Sequence, residues 1–149
     1  GEKYSPEGFE DSLTDGSKYI DQVVLHNNQD PYTTVIVVPN KEALKEYVKS
    51  SNHGIDIDSR EAKELMLKKI QDEVNSYRKG GSRAGMFPER WLPAAIIVAD
   101  EPFTEQNHMV NSTMKIVRGK VEKHYADRIE YALTPEGKNL LNDKNIASL

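Results

Sequence analysis

The sequence predicts an α+β domain in which a small three-stranded, mainly antiparallel sheet is flanked by helices, and three features predict it. The runs Val35-Ile36-Val37-Val38 and Ala94-Ala95-Ile96-Ile97-Val98 have strand length and are apolar at successive positions, as a sheet covered on both faces requires. Two longer stretches carry apolar residues at three- and four-residue steps, the mark of helices laid on a core. Between two strand-like segments lies Asn27-Asn28-Gln29-Asp30-Pro31, whose residues favour a turn and hence a hairpin.

Taken in order, Ser5-Pro6-Glu7 opens a short helix over 6–14. Ser5 serves as cap acceptor, Pro6 is preset for the first helical position and Glu7 faces the positive end of the helix. Tyr19 to His26 and Tyr32 to Val38 read as the hairpin strands, the second being central because it is apolar throughout. Pro39-Asn40 stops it and caps a helix over 41–50. After the loop Ser50-Ser51-Asn52-His53-Gly54, Asp58-Ser59-Arg60-Glu61 has the residues of a capping box with Glu61 at the third helical position. The helix that follows has an apolar stripe of Ala62, Leu65, Met66, Ile70, Val74 and Tyr77 and is expected to stop at Lys79-Gly80-Gly81. Ala94 to Ala99 is the third strand. Val117, Val121, Tyr125, Ile129 and Ala132 form the stripe of a last long helix, and Thr134-Pro135-Glu136-Gly137 starts another.

Composition narrows the function. A chain of 149 residues fits one core, with a radius of gyration of about 15 Å if compact. With 37% hydrophobic and 30% charged residues it is polar for a globule, which suits a helix-bearing domain with much exposed surface. The net charge of -4 argues against general nucleic-acid binding, since phosphate backbones reward basic surfaces. Without cysteine there is no disulfide framework and no thiolate site, and a reducing cytoplasm is compatible.

The residue carrying most chemical promise is Lys115, at the end of the polar loop Phe103-Thr104-Glu105-Gln106-Asn107-His108-Met109-Val110-Asn111-Ser112-Thr113-Met114. A compact ammonium with three donors on a flexible stem can bridge two anions and follow oxygens that move during a displacement. The residues by themselves favour a solvated helix-entry lysine, one among Lys115, Arg118, Lys120, Lys123 and Arg128. Arg78-Lys79-Gly80-Gly81-Ser82-Arg83-Ala84-Gly85 has the backbone amides to cradle a phosphate but lacks the Gly-Lys-Ser/Thr ending of a P-loop, and a flexible connector is the better reading. His26, His53, His108 and His124 show no metal-ligand spacing, so no metal site is expected.

The segment from Phe103 to Arg118, with its Asn/Thr-rich stretch before Lys-x-x-Arg, resembles the catalytic-lysine segment of AMP-forming acyl-CoA synthetases, most closely the long-chain fatty acid ligases. Gly1-Glu2-Lys3-Tyr4-Ser5-Pro6-Glu7-Gly8-Phe9-Glu10 resembles the Gly-Glu-x-x-x-Pro-x-x-Ile-Glu segment that opens the mobile C-terminal domain of those enzymes, and Phe87-Pro88-Glu89-Arg90-Trp91-Leu92-Pro93 resembles the region before the last strand in the long-chain branch. His108 departs from the pattern where Gly is more usual, and Gln106 where Glu is common.

The resemblance implies that the whole chain, 1–149, is the lid of a larger ligase whose N-terminal adenylate-binding domain lies outside it. That ligase would convert a fatty acid, ATP and CoA, with Mg2+, into acyl-CoA, AMP and pyrophosphate. Lys115 would supply the adenylation charge, while Gly1, Glu2 and Lys3 would pack beside the pantetheine tunnel, with Lys3 near the adenylate phosphate. The fragment by itself is expected to bind no cofactor tightly and to be inactive, and any peripheral membrane contact would come through the other domain. The rival readings are an adenylating enzyme with a carrier-protein acceptor and a free-standing interaction module.

Overall fold

In the computed structural model, residues 5–149 are described. They form a three-stranded sheet in the order β1-β2-β3, with β1 at Ile20–His26, β2 at Thr34–Pro39 and β3 at Ala95–Val98. The hairpin strands pair antiparallel, with Val23 opposite Val37 and Leu25 opposite Val35. The third strand joins on the far side of β2 and runs parallel to it, Val35 opposite Ile96. The parallel arrangement follows from the long helical excursion between β2 and β3. The helices are α1 at Pro6–Gly16, α2 at Lys41–Ser51, α3 at Arg60–Val74, α4 at Arg118–His124, α5 at Ala126–Ala132, α6 at Pro135–Lys138 and α7 at Asp143–Ala147.

Beyond an irregularity between Ile20 and Gln22 of β1, side chains alternate across the sheet, and each set meets its own layer. Val23, Leu25, Val35, Val37, Ile96 and Val98 pack with Phe9 and Leu13 of α1, Leu44 and Val48 of α2, and Met66, Leu67 and Ile70 of α3. Val24, Ile36, Val38 and Ile97 point the other way, onto Phe103, Met109, Val110, Val121, Tyr125 and Ile129. The central strand is buried at every position, which is why its sequence is apolar without alternation. Among the described residues, no helix is long and apolar enough to cross a membrane.

Four local expectations change. The cap of α3 is Ser59, whose hydroxyl accepts from the Ala62 amide, rather than Asp58, so Glu61 falls one place short of a reciprocal capping box. That helix ends at Val74, and a 3-10 turn at Asn75–Tyr77 carries the stripe on to Tyr77 before the chain turns. The last stripe is shared by α4 and α5, which meet at Tyr125 with φ -102 and ψ 20. The i to i+4 bonds from Tyr125 to Val121 and from Ile129 to Tyr125 persist through the bend, so the apolar register survives it. Ser5 caps α1 by position only, without a side-chain bond.

Both margins of the sheet end on polar side chains. On β1, the Leu25 amide donates to Glu10 at 2.6 Å and the Leu25 carbonyl accepts from Arg118 at 2.9 Å. On β3, the Val98 amide donates to Asn145 Oδ1 at 2.9 Å, and Asn145 Nδ2 donates to the Ile96 carbonyl at 3.0 Å. Asn145 is fully buried and thus takes the place of a further strand. Gly137 allows this corner to close, because a Cβ there would sit 1.9 Å from the Tyr131 carbonyl oxygen.

Candidate active-site segment

The loop carrying Lys115 is rooted in the second face of the sheet. Phe103, Met109 and Val110 are buried there against Val24, Ile36 and Val38. Gln22 of β1 fastens the root by a two-way amide contact: its Nε2 donates to the Phe103 carbonyl at 3.1 Å and its Oε1 accepts the Phe103 amide at 2.9 Å. Next along, Thr104 and Asn107 cap each other. The Asn107 side-chain oxygen accepts the Thr104 amide at 2.9 Å, and the Thr104 hydroxyl accepts the Asn107 amide at 3.2 Å.

This tight turn leaves His108 at φ 66, in the left-handed region that glycine adopts freely. The position where the family pattern has Gly is therefore one whose backbone asks for it.

Beyond Val110 the chain doubles back. Val110 and Ile116 form an isolated antiparallel bridge, and the Val117 amide donates to the Met109 carbonyl at 2.8 Å. Residues 111–116 between them are exposed, and Lys115 lies near the end of this short arm, just before α4. Among the described residues its ammonium forms no ion pair. A groove of about 450 Å³ runs between root and arm, with Phe103, Glu105, Val110 and Met114 in its walls.

Arg118, at the start of α4, is different in kind. Its guanidinium meets both oxygens of Glu10 at 2.8 and 2.6 Å and lies 3.9 Å from Glu7. The hydrogen bond to Glu10 raises its pKa above the ordinary value, outweighing the opposing effect of burial. This pair joins α1 to α4, which carries the arm. Nearby, His26 of β1 contacts Glu122 of α4 through Nδ1 and lies 3.4 Å from Asp30 through Nε2. From the sequence Arg118 reads as a structural helix residue, ion-paired or solvated, and the structure shows it paired; the parts played by Gln22 and Glu10 are not read there. Gln22 sits in no local motif, and Glu10, though it closes the Gly-Glu-x-x-x-Pro-x-x-Ile-Glu segment, acts on a residue 108 positions away that the segment does not announce.

Gly1, Glu2 and Lys3 lie outside the described residues. The segment from Arg78 to Gly85 is held internally. The Arg78 guanidinium donates to the Pro93 carbonyl at 2.7 Å, the Arg83 guanidinium donates to the Gly16 carbonyl at 2.7 Å, and the Gly81 amide donates to the Arg78 carbonyl at 2.8 Å. Its two arginines thus fasten this connector to neighbouring elements. Among the described residues no three His, Asp or Glu side chains gather to hold a metal.

No protein-family model matches the chain. Probable acyl-activating enzyme 16, chloroplastic, of Arabidopsis thaliana is 30% identical over 131 residues, which are 87% of this chain and 17% of that protein. Long chain acyl-CoA synthetase 8 of the same plant is 25% identical over 130 residues, 85% of this chain and 17% of that one. Fatty acyl-CoA synthetase B of Dictyostelium discoideum is 24% identical over 115 residues, 76% of this chain and 16% of that one. Among solved structures, the adenylation domain of the carboxylate reductase from Mycobacterium chelonae superposes with a TM-score of 0.60 at 25% identity, over 87% of this chain and 18% of that one. The A-PCP didomain of the carboxylic acid reductase from Segniliparus rugosus, at 23% identity and a TM-score of 0.57, shares the fold over 87% of this chain and 16% of that one.

The α+β fold is the one that adenylation domains of adenylate-forming enzymes share with this chain. The chain is homologous to acyl-activating and acyl-CoA synthetase enzymes and matches the C-terminal part of an adenylate-forming enzyme. It spans only 17% of the length of the first relative it matches.

Proposed function

We propose that this chain is the mobile lid of a fatty acid-CoA ligase and that Lys115 is the charge it contributes to acyl-adenylate formation. One observation carries the proposal most directly: Lys115 stands exposed on a short arm whose root is fixed by buried side chains and by Gln22.

In the first half-reaction a carboxylate oxygen of the acid attacks the α-phosphorus of ATP, and the bond to pyrophosphate breaks. Two anions must approach while charge spreads over the phosphoryl oxygens. The Lys115 ammonium, placed between them, offsets that repulsion without changing protonation state. In the second half-reaction the CoA thiol sulfur attacks the acyl carbonyl, its proton is released, and AMP leaves. A charge carried on a swinging domain is then withdrawn to let the thiol in. Gly1, Glu2 and Lys3 keep their proposed place beside the pantetheine. ATP, the acyl pocket and the ligands of Mg2+ belong, in this reading, to an N-terminal domain of the same polypeptide.

The relatives named as acyl-CoA synthetases support CoA as acceptor. The likeness to an adenylation domain of a carboxylate reductase favours a second reading, in which a carrier protein receives the acyl group. Assaying the complete polypeptide with CoA and with a phosphopantetheinyl carrier protein separates the two.

The test of Lys115 is Lys115→Ala in the complete enzyme. Acyl-adenylate formation, read by exchange of labelled pyrophosphate into ATP, is expected to fall by about two to three powers of ten. Thioester formation from preformed acyl-adenylate should be largely spared. Equal losses in both half-reactions count against the role.

A further inference from the structure

We propose that Asn111 is the positioning residue for Lys115, holding the backbone from which the ammonium projects. The proposal rests on the reading of Lys115 as the adenylation charge.

Three donors converge on one oxygen. Asn111 Oδ1 accepts the Thr113 amide at 3.0 Å, the Thr113 hydroxyl at 2.8 Å and the Lys115 amide at 3.0 Å. The Asn111 amide donates in turn to the Lys115 carbonyl at 2.9 Å, and the Met114 amide donates to the Asn111 carbonyl at 2.9 Å. Both peptide groups of Lys115 thus end on the same asparagine. Between them Met114 is held at φ 64, a conformation a methionine keeps only where its surroundings over-determine it.

No core does that work here. Residues 111–116 are exposed, and Met114 retains 75% of its surface. Apart from the Val110 to Ile116 bridge at the base, the shape of the arm is set by the Asn111 side chain and by the backbone bonds it organises. Removing Oδ1 leaves the left-handed Met114 backbone without this restraint and lets it relax, and a rotation there is magnified along the four-carbon stem of Lys115. A displacement of about 1 Å in a positioned group costs up to about a hundredfold in rate. These three contacts use only the acceptor oxygen, so aspartate preserves them while alanine does not.

The complete enzyme is assayed as wild type, N111A, N111D, K115A and the double variant N111A/K115A. Pyrophosphate exchange reads the first half-reaction and thioester formation from preformed acyl-adenylate the second. N111A is expected to lower kcat of adenylation by about ten- to a hundredfold, with KM for ATP and acid little changed and the second half-reaction intact. N111D should recover to within a few-fold of wild type, and adding N111A to K115A should cost nothing more. Adenylation by N111A within twofold of wild type, N111D as impaired as N111A, or a further loss on the K115A background would each overturn the positioning role while leaving the lysine reading in place. Undiminished adenylation by K115A overturns the lysine reading itself, and this inference with it.

Discussion

Glu10 of α1 and Arg118 of α4 are joined through both carboxylate oxygens, at 2.6 and 2.8 Å, although 108 positions separate them in the chain. Glu10 is only 9% exposed, and its second commitment is to the Leu25 amide, so the pair closes one corner of the sheet as well as linking two helices. Because α4 follows directly on the Lys115 arm, this corner fixes the direction in which the arm leaves the domain.

Arg118→Ala is expected to destabilise the domain by about 2–3 kcal/mol, below the full cost of breaking a buried pair because the Arg118 side chain is 31% exposed. Arg118→Lys should recover only part of this, since an ammonium cannot meet both oxygens and the Leu25 carbonyl in one plane. Urea unfolding of the three proteins checks it. Equal midpoints for wild type and Arg118→Ala would show the pair to be neutral.

His108 occupies a left-handed backbone position at φ 66. His108→Gly should raise stability by about 0.5 kcal/mol, the relief of the left-handed strain exceeding the extra freedom that glycine gives the unfolded chain. His108→Val should lower it by about 1–2 kcal/mol, because a branched Cβ tolerates that region worst. The two substitutions must move the urea midpoint in opposite directions for the conformational account to hold.

Tyr125 is buried and donates its hydroxyl to Asp100 at 2.9 Å. Burial first, and then the bond to Asp100 and its charge, raise the phenol pKa above the ordinary 10.0. The folded state therefore disfavours the phenolate, while the unfolded chain ionises near the ordinary value. The contribution is fully present below about pH 10 and is lost as pH rises from there toward the folded value. Between about pH 10 and 11.5 the wild type should lose stability more steeply than Tyr125→Phe, as followed by urea unfolding at stepped pH. Parallel slopes would remove Tyr125 from the alkaline transition.

Much of the architecture was legible because both faces of the sheet are covered. A strand that must be apolar at every position, as at Val35 to Val38, is hard to mistake when turn residues bound it. The helical stripes were equally plain, since Ala62, Met66, Ile70 and Val74 all reach the core. What escaped was set by tertiary approach. Asn145, on the short α7, acts on Ile96 and Val98 nearly fifty positions earlier, and nothing around it in sequence announces that it will be buried. The bend at Tyr125 is similar, since no breaker residue marks it in the sequence. In the candidate site, Lys115 was singled out by the resemblance of the whole segment. The Asn-Ser-Thr run beside it carried the signal of a side-chain-stabilised turn, but only the geometry gathers its donors on one oxygen.

The polar groups at the two sides of the sheet have a consequence for how this domain behaves among copies of itself. Unpaired strand edges invite neighbouring chains to add on by β-pairing, the route to aggregates and swapped dimers. Here Glu10 with Arg118 on one side, and Asn145 on the other, already occupy outward-facing backbone groups at Leu25, Ile96 and Val98. A domain whose two sheet flanks are occupied in this way can expose them without becoming a template for fibril growth.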